Sequence, residues 1–554
     1  MLEHGETFED ITKDFRWDIP VRYNIGVDIC DKWALIDPGR LALIDVDPSG
    51  EVRRHSFGAL RSASNRLANA LTADGVSCGG GRAFSDRVGV LLPQCAETAL
   101  AHIAITKMGC ISIPLSTLFG PDALLHRLRD AGAKAVITNR AGARKLAALR
   151  AILPELAVIY SIDGAADGVQ DFSARSASQP EEFEPVDTAS DDPAILIYTS
   201  GTTGNPKGVL HAHRVLLGHL PGVELSHDFL PGEGDLFWTP ADWAWIGGLL
   251  DVLMPALHHG IPVLSHRFEK FTAEAAFTLM KTYGIRNAFL PPTALKIMKA
   301  RPTSEHVSID LRSVGSGGET LGVELIEWGK SVFGATINEF YGQTECNMVI
   351  SSCGALEPPS PGMMGRAVPG HRVDIVDATT GDILPADQEG AIAVLAPDPV
   401  MFLQYWNDAE ASTEKFITGP EGKWLLTGDR GKKDKEGRFQ FLGRDDDIIT
   451  SAGYRIGPGE IEDCLHTHDA VKLAGVVGQP DATRGTIVVA YVVLREGVAA
   501  SDALAEELAA YVKSRLAAHE YPRIVRFIED MPMTTTGKIV RRQLRDWASA
   551  AAGD

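Results

Sequence analysis

A multidomain α/β fold is predicted by three features of the sequence: its length, a repeated strand–helix–strand grammar in its first third, and a further α/β pattern after Gly443. At 554 residues the chain exceeds one ordinary core, given domains of about 100–200 residues. The expected architecture is a large N-terminal region of two α/β subdomains plus a β-rich subdomain, residues 1–445. A small α/β C-terminal domain, residues 446–554, follows it.

Each element follows from its pattern. Between Arg87 and Asp163, apolar runs (RVGVLLP, CISIPL, AKAVITN, LAVIYSID) alternate with amphipathic stretches (CAETALAHIAITKMG, PDALLHRLRDAG, AGARKLAALRAI), which implies parallel strands with crossover helices. In the first helix Leu100, Ile103, Ala104 and Met108 share one face, the spacing needed to cover a sheet. From Gly164 to Pro193 the chain is polar and acidic and reads as a surface connection. Strand character resumes at AILIY, and a second α/β stretch runs to about residue 350. Short Gly- and Pro-punctuated strands (HRVDIVDA, GAIAVLA, RFQFLG) then mark the β-rich part. Beyond Gly443, GEIEDCLHTH and ALAEELAAYVKSRL read as helices and KLAGVVGQ, TIVVAYVVL and RIVRFIE as strands.

Composition narrows the function. Lys plus Arg number 53 against 73 Asp plus Glu, and the net charge of −20 opposes general binding to nucleic acid or an anionic membrane while leaving room for a local nucleotide pocket. Seven scattered cysteines fit free thiols in a reducing compartment, so a cytoplasmic location is expected. No apolar signal core or membrane span is read; the longest apolar stretch carries Asp251 and Pro255.

The most informative segment is YTSGTTGNPKGV, residues 198–209, directly after the strand AILI. Thr199, Ser200, Gly201, Thr202, Thr203 and Gly204 are small or hydroxylic, so backbone N–H groups can approach phosphate oxygens, and Lys207 adds a mobile cation. The segment is not a Walker loop, because no Ser or Thr follows the lysine. Downstream lie GSGGET (315–320), YGQTE (341–345), TGD (427–429), GRDDD (443–447), GYRIGPGEIE (453–462) and TTTGKIVRR (534–542). Their kind, order and spacing resemble the adenylate-forming superfamily of acyl-CoA synthetases, luciferases and peptide-synthetase adenylation domains. Within it, YGQTE and PADWAW look like short- and medium-chain acyl-CoA synthetases.

The resemblance implies an AMP-forming acid–thiol ligase that uses ATP, Mg²⁺ and CoA on a carboxylic acid, here a short- or medium-chain and branched or linear fatty acid. Matched by motif, Gly318, Glu319 and Thr320 would line the adenine pocket and Tyr341 would stack on the purine. Thr344 would bond the α-phosphate, and Glu345 would hold Mg²⁺ through a hard oxygen. Asp429 would accept from both ribose hydroxyls with Arg444 assisting, and Arg455 would face phosphate. Lys538 would bridge the carboxylate and α-phosphate, placing a cation where charge develops. Asp446 matches the hinge about which the small domain rotates between half-reactions, bringing Gly453 and Tyr454 to the pantetheine channel.

Gly342 stands where acetyl-CoA synthetases typically carry Trp, so it and Trp245 are expected to line the acyl pocket. Lys538 is also a candidate for a lysine acetyltransferase and deacetylase. Three rivals share the motifs: an acetyl-CoA synthetase, an adenylation enzyme that loads a carrier protein, and a silent nucleotide-binding protein. Cys464, His466 and His468 resemble metal ligands by type, but their alternating spacing on a helix points them apart.

Overall fold

The computed structural model describes every residue except 79–84, 200–205, 301–308, 319–320, 361, 446, 448, 452–453, 482–484, 517–520, 535–536 and 552–554. The chain forms two compact units, Met1–Val373 with Val394–Leu425 and Asp374–Ala393 with Leu426–Asp554. It passes between them inside the strands Val373–Val376, Gly390–Ala396 and Gly422–Lys433. Residue 445, where the motifs suggest a division, lies within the second unit.

In the first unit one sheet is built from the expected alternation. Strands Arg87–Leu91, Ile111–Pro114, Ala135–Thr138 and Val158–Ser161 are parallel, as is Pro193–Thr199, which pairs with Ile111–Pro114. Strand Lys207–Ala212 then returns antiparallel beside Pro193–Thr199. Helix Ala96–Lys107 departs from its pattern, being buried on almost every side. Leu100 and Ile103 pack in one core, whereas Ala101, Ala104, Ile105 and Met108 pack in another, so this helix joins two cores rather than covering one sheet. The acidic connection also gains order, a short helix at Phe172–Ala177.

The unit's second sheet runs parallel through Leu41–Val46, Val263–His266, Phe237–Trp238, Asn287–Phe289, Ser313–Gly317 and Ile337–Gln343. Strand Asn347–Ser351 folds back antiparallel on the last of these. Three motifs therefore begin where strands end: the phosphate loop after Thr199, GSGGET at the end of Ser313–Gly317, and TE after Gln343. Carboxyl ends of strands are where open α/β sheets bind ligands.

In the second unit, strand Val471–Asp481 pairs antiparallel with Gly485–Leu494, which pairs parallel with Ile524–Phe527. Helices Pro458–His466, Asp502–Arg515 and Arg541–Ala550 accompany them. No helix among the described residues is long and apolar enough to cross a membrane, and all seven cysteines are free thiols.

Candidate active site

The hairpin around the phosphate loop places Thr199 opposite Lys207 in register. Loop residues Ser200, Gly201, Thr202, Thr203 and Gly204 lie outside the described residues, as do Glu319, Thr320, Asp446 and Gly453. His126 Nε2 lies 2.9 Å from the carbonyl of Pro206 and steadies the loop's return strand. Lys207 stays half-exposed, with Nζ 3.6 Å from Asp408 Oδ2 and 5.2 Å from the centre of the Tyr405 ring.

Tyr405 links this lysine to YGQTE. Its hydroxyl donates to Glu345 Oε1 at 2.6 Å, and both side chains are buried. The backbone of Glu345 is pinned as well, its carbonyl accepting the Phe402 N–H at 2.9 Å. Glu345 Oε2 takes no hydrogen bond among the described residues, which leaves one hard carboxylate oxygen for a cation. Glu345 and Lys207, distant in sequence, thus share one aromatic support, and that support was not among the residues expected from sequence. Tyr405 belongs to no recognised motif; the aromatic cluster MFLQYW was its only signal.

Tyr341 is buried on the strand Ile337–Gln343, and Gly318, at φ +96°, makes the turn beside it in a backbone region that favours glycine. Thr344 follows the strand and is partly exposed. Gly342 corrects an expectation. A Cβ on it would stand 1.5 Å from the carbonyl oxygen of Asn347, so the space beside its Cα is filled by the neighbouring strand rather than left open for an acyl group. The cause is a register shift between Tyr341 and Gly342 against Asn347–Ser351. Trp245 is half-buried, its ring edge-on to Phe119 at 5.6 Å. Two residues on, a Cβ on Gly247 would meet Phe289 at 2.9 Å and Asp251 at 3.5 Å.

In the second unit Asp429 and Arg444 are direct cross-strand partners, and the Asp429 N–H donates to Thr427 Oγ1 at 3.2 Å. Both candidate ribose ligands therefore share one ladder. Tyr454 and Arg455 lie on the strand Tyr454–Ile456, paired in register with Ser451 and Thr450. Lys538 is exposed at the end of a tight turn, where Thr534 N–H donates to its carbonyl at 2.7 Å and its own N–H donates to Thr534 Oγ1 at 3.0 Å. Gly537, at φ +84°, permits that turn. The adjacent Arg541 is engaged rather than a loose surface charge: it reaches Glu462 at 2.5 Å and Asp447 at 3.5 Å. Burial pushes the Glu462 carboxyl up to about 7, against the pull of Arg541. His466 Nε2 accepts the Ala474 N–H, whereas His468 faces Glu507 at 3.3 Å, so the two rings serve different partners.

Comparison with known proteins identifies the family. The AMP-binding enzyme family model matches residues 30–406, and the AMP-binding enzyme C-terminal domain model matches residues 460–538. The chain is 33% identical to the mitochondrial acyl-coenzyme A synthetase ACSM4 of Mus musculus over 545 residues, 96% of this chain and 92% of that protein. It is 34% identical to the uncharacterized acyl–CoA ligase YtcI of Bacillus subtilis (strain 168), covering 95% of this chain and 96% of that one. The crystal structure of the anthranilate CoA ligase AuaEII in complex with anthranoyl-AMP superposes with a TM-score of 0.86 at 27% identity, over 97% of this chain and 99% of that chain. The chain therefore belongs to the AMP-binding enzyme family, as an AMP-forming acyl-CoA synthetase that uses ATP to join a carboxylic acid to CoA through an acyl-adenylate.

Proposed function

We propose that the acid is short- to medium-chain, of roughly four to eight carbons, the range an ordinary ligand pocket admits. The observation that supports this is Trp245, half-buried and edge-on to Phe119 at 5.6 Å, which gives the proposed acyl wall an apolar face. Each methylene buried there is worth about 0.8 kcal/mol, so a few carbons favour a longer acid over acetate by orders of magnitude. Gly342 would contribute backbone only.

Adenylation would proceed on the first unit's motifs. Lys207 and the phosphate loop would neutralise the triphosphate, Thr344 would bond the α-phosphate, and Tyr341 and Gly318 would border the adenine. Mg²⁺ would be held by Glu345 and would offset charge on the phosphates as pyrophosphate leaves. Asp429 and Arg444 would hold the ribose. Lys538 would join carboxylate to α-phosphate, and Arg455 would face phosphate. Rotation at Asp446, between a region 1–445 and a lid 446–554, would then replace Lys538 by the Gly453–Tyr454 segment for thiol attack. Acetylation of Lys538 by a lysine acetyltransferase would remove its charge and silence the first step, and a deacetylase would restore it.

The test is AMP formation from ATP across linear, branched and cyclic acids, with free CoA and a carrier protein compared as acceptors. Best turnover on acetate, or on the carrier alone, would overturn the reading.

A further inference from the structure

The helix Pro121–Ala131 divides its faces sharply. Pro121 starts it, Gly132 ends it, and its Leu124 and Leu128 are buried among strands of the first sheet. Asp122, His126 and Asp130 recur every fourth residue and so lie along a different face. With Leu125 and Arg129 they line a cavity of about 460 Å³.

That face reaches both ends of the phosphate loop. Before the loop, the Tyr198 hydroxyl donates to Asp130 Oδ2 at 2.7 Å. After it, His126 Nε2 lies 2.9 Å from the Pro206 carbonyl. Gly208 is held at one remove: its carbonyl accepts the Trp406 N–H at 2.6 Å, and the Trp406 indole N–H donates to the Asp130 carbonyl at 3.0 Å. The Asn407 amide donates to the same carbonyl at 2.9 Å and to Asp130 Oδ1 at 3.3 Å. Both carboxylate oxygens of Asp130 are therefore engaged, one on each side of the loop.

Asn407 also stands between two partners of Lys207. The Tyr405 ring lies 5.2 Å from the ammonium and Asp408 Oδ2 lies 3.6 Å from it. Asn407 takes φ +55°, a left-handed backbone that asparagine adopts more readily than most residues. Bonding its amide to Asp130 holds that bend, and with it the spacing of Tyr405 and Asp408. Burial, then the bond to Asp130, pushes the Tyr198 phenol up, so its hydroxyl stays a donor.

We propose that Asp130 is a positioning residue for adenylation: through Tyr198 and Asn407 its carboxylate sets the ends of the phosphate loop, and Lys207, where the ATP triphosphate needs them. This rests on the reading of residues 198–209 as the triphosphate cradle. Asp130 acts through the strand that enters the loop and the bend that supports Lys207. A misplacement of about 1 Å by a change far from the chemistry can cost about 100-fold in rate.

The experiment compares acid-dependent ATP–pyrophosphate exchange with thioester formation from preformed acyl-adenylate and CoA, for wild type, Asp130→Ala, Tyr198→Phe and Lys207→Ala. Exchange in D130A and Y198F should lose about 10- to 100-fold in kcat/KM for ATP, the effect of deleting a hydrogen bond to a charged group. Thioester formation should stay within about twofold of wild type, because the acyl-adenylate has no β- or γ-phosphate for the loop to hold. The cavity lined by Asp130 lets water reach the Tyr198 hydroxyl in D130A, so that variant is expected to fold. Equal losses in the two half-reactions would mean a role in folding alone and overturn the proposal. Wild-type exchange by Y198F, which lacks only a hydroxyl, overturns it whether or not D130A folds. Undiminished exchange by K207A overturns the reading of the loop itself, and the proposal with it.

Discussion

The Tyr405 hydroxyl donates to Glu345 Oε1 at 2.6 Å while the Tyr405 ring lies 5.2 Å beneath the Lys207 ammonium. One side chain thus orients the carboxylate proposed for the metal and supports the cation proposed for the phosphates. Tyr405→Phe removes only the hydroxyl. A hydrogen bond to a charged group is worth about 1.5–3 kcal/mol, so ATP affinity in the presence of Mg²⁺ should fall about 10- to 100-fold. Affinity measured by calorimetry in chelator should change little. An equal loss with and without metal would show that Tyr405 acts only through folding.

Lys538→Ala should slow adenylation by at least about 100-fold, the usual effect of deleting a group aimed at developing charge. Thioester formation from preformed acyl-adenylate should be spared. Single-turnover assays of the two half-reactions separate these outcomes, and equal losses would remove Lys538 from the first step.

Asp446→Pro fixes φ at the proposed hinge. Adenylation is expected to survive and thioester formation to fall about tenfold or more, since only the second step needs the rotated lid. Full turnover at the wild-type rate would place the hinge elsewhere.

Gly342 faces a backbone oxygen, and any side chain there must displace the strand Asn347–Ser351. Gly342→Ala is expected to lose about 3 kcal/mol or more in urea unfolding, at the upper end of overpacking costs. Gly342→Trp should then behave as a folding defect rather than a chain-length switch. A stable tryptophan variant with a shifted acid profile would contradict this.

Acid should destabilise the first unit well above the range in which carboxylates titrate. Burial pulls His102, His211 and His227 down to about 3 and His213 to about 4. The His213 Nδ1 must stay unprotonated to accept the Ile25 N–H at 3.1 Å. The unfolded chain binds these protons near pH 6.5, so stability is full above that value and is lost as pH falls toward 4. Each group contributes about 1.4 kcal/mol per pH unit in that window. Chemical denaturation at pH 7 and pH 5 tests the slope; a flat response would mean that these rings are protonated in the fold.

What was legible in the sequence was what repeats locally. Strand and helix periods placed Arg87–Leu91, Ile111–Pro114 and the C-terminal helices, and loop chemistry marked the ends at Thr199 and Gln343. What was not legible depended on register or distance. The neighbour of Gly342 is decided by a one-residue shift between two strands. The Tyr405–Glu345 and Asp251–His219 pairs join positions 60 and 32 residues apart. Helix Ala96–Lys107 looked one-sided because alanine and threonine on its other faces give little hydropathic contrast, although they are equally buried.

The interleaving of the two units has a consequence for synthesis. Residues 374–393 belong to the second unit, but the chain returns to the first for 394–425 before completing the second from 426 onward. At a translation rate of roughly 5–20 residues per second, Gly390–Ala396 soon joins its neighbour Val373–Val376 but emerges a few seconds before its other neighbour, Gly422–Lys433. For that interval, Gly390–Ala396 presents an unpaired edge on the nascent chain, where a holding chaperone would find its target.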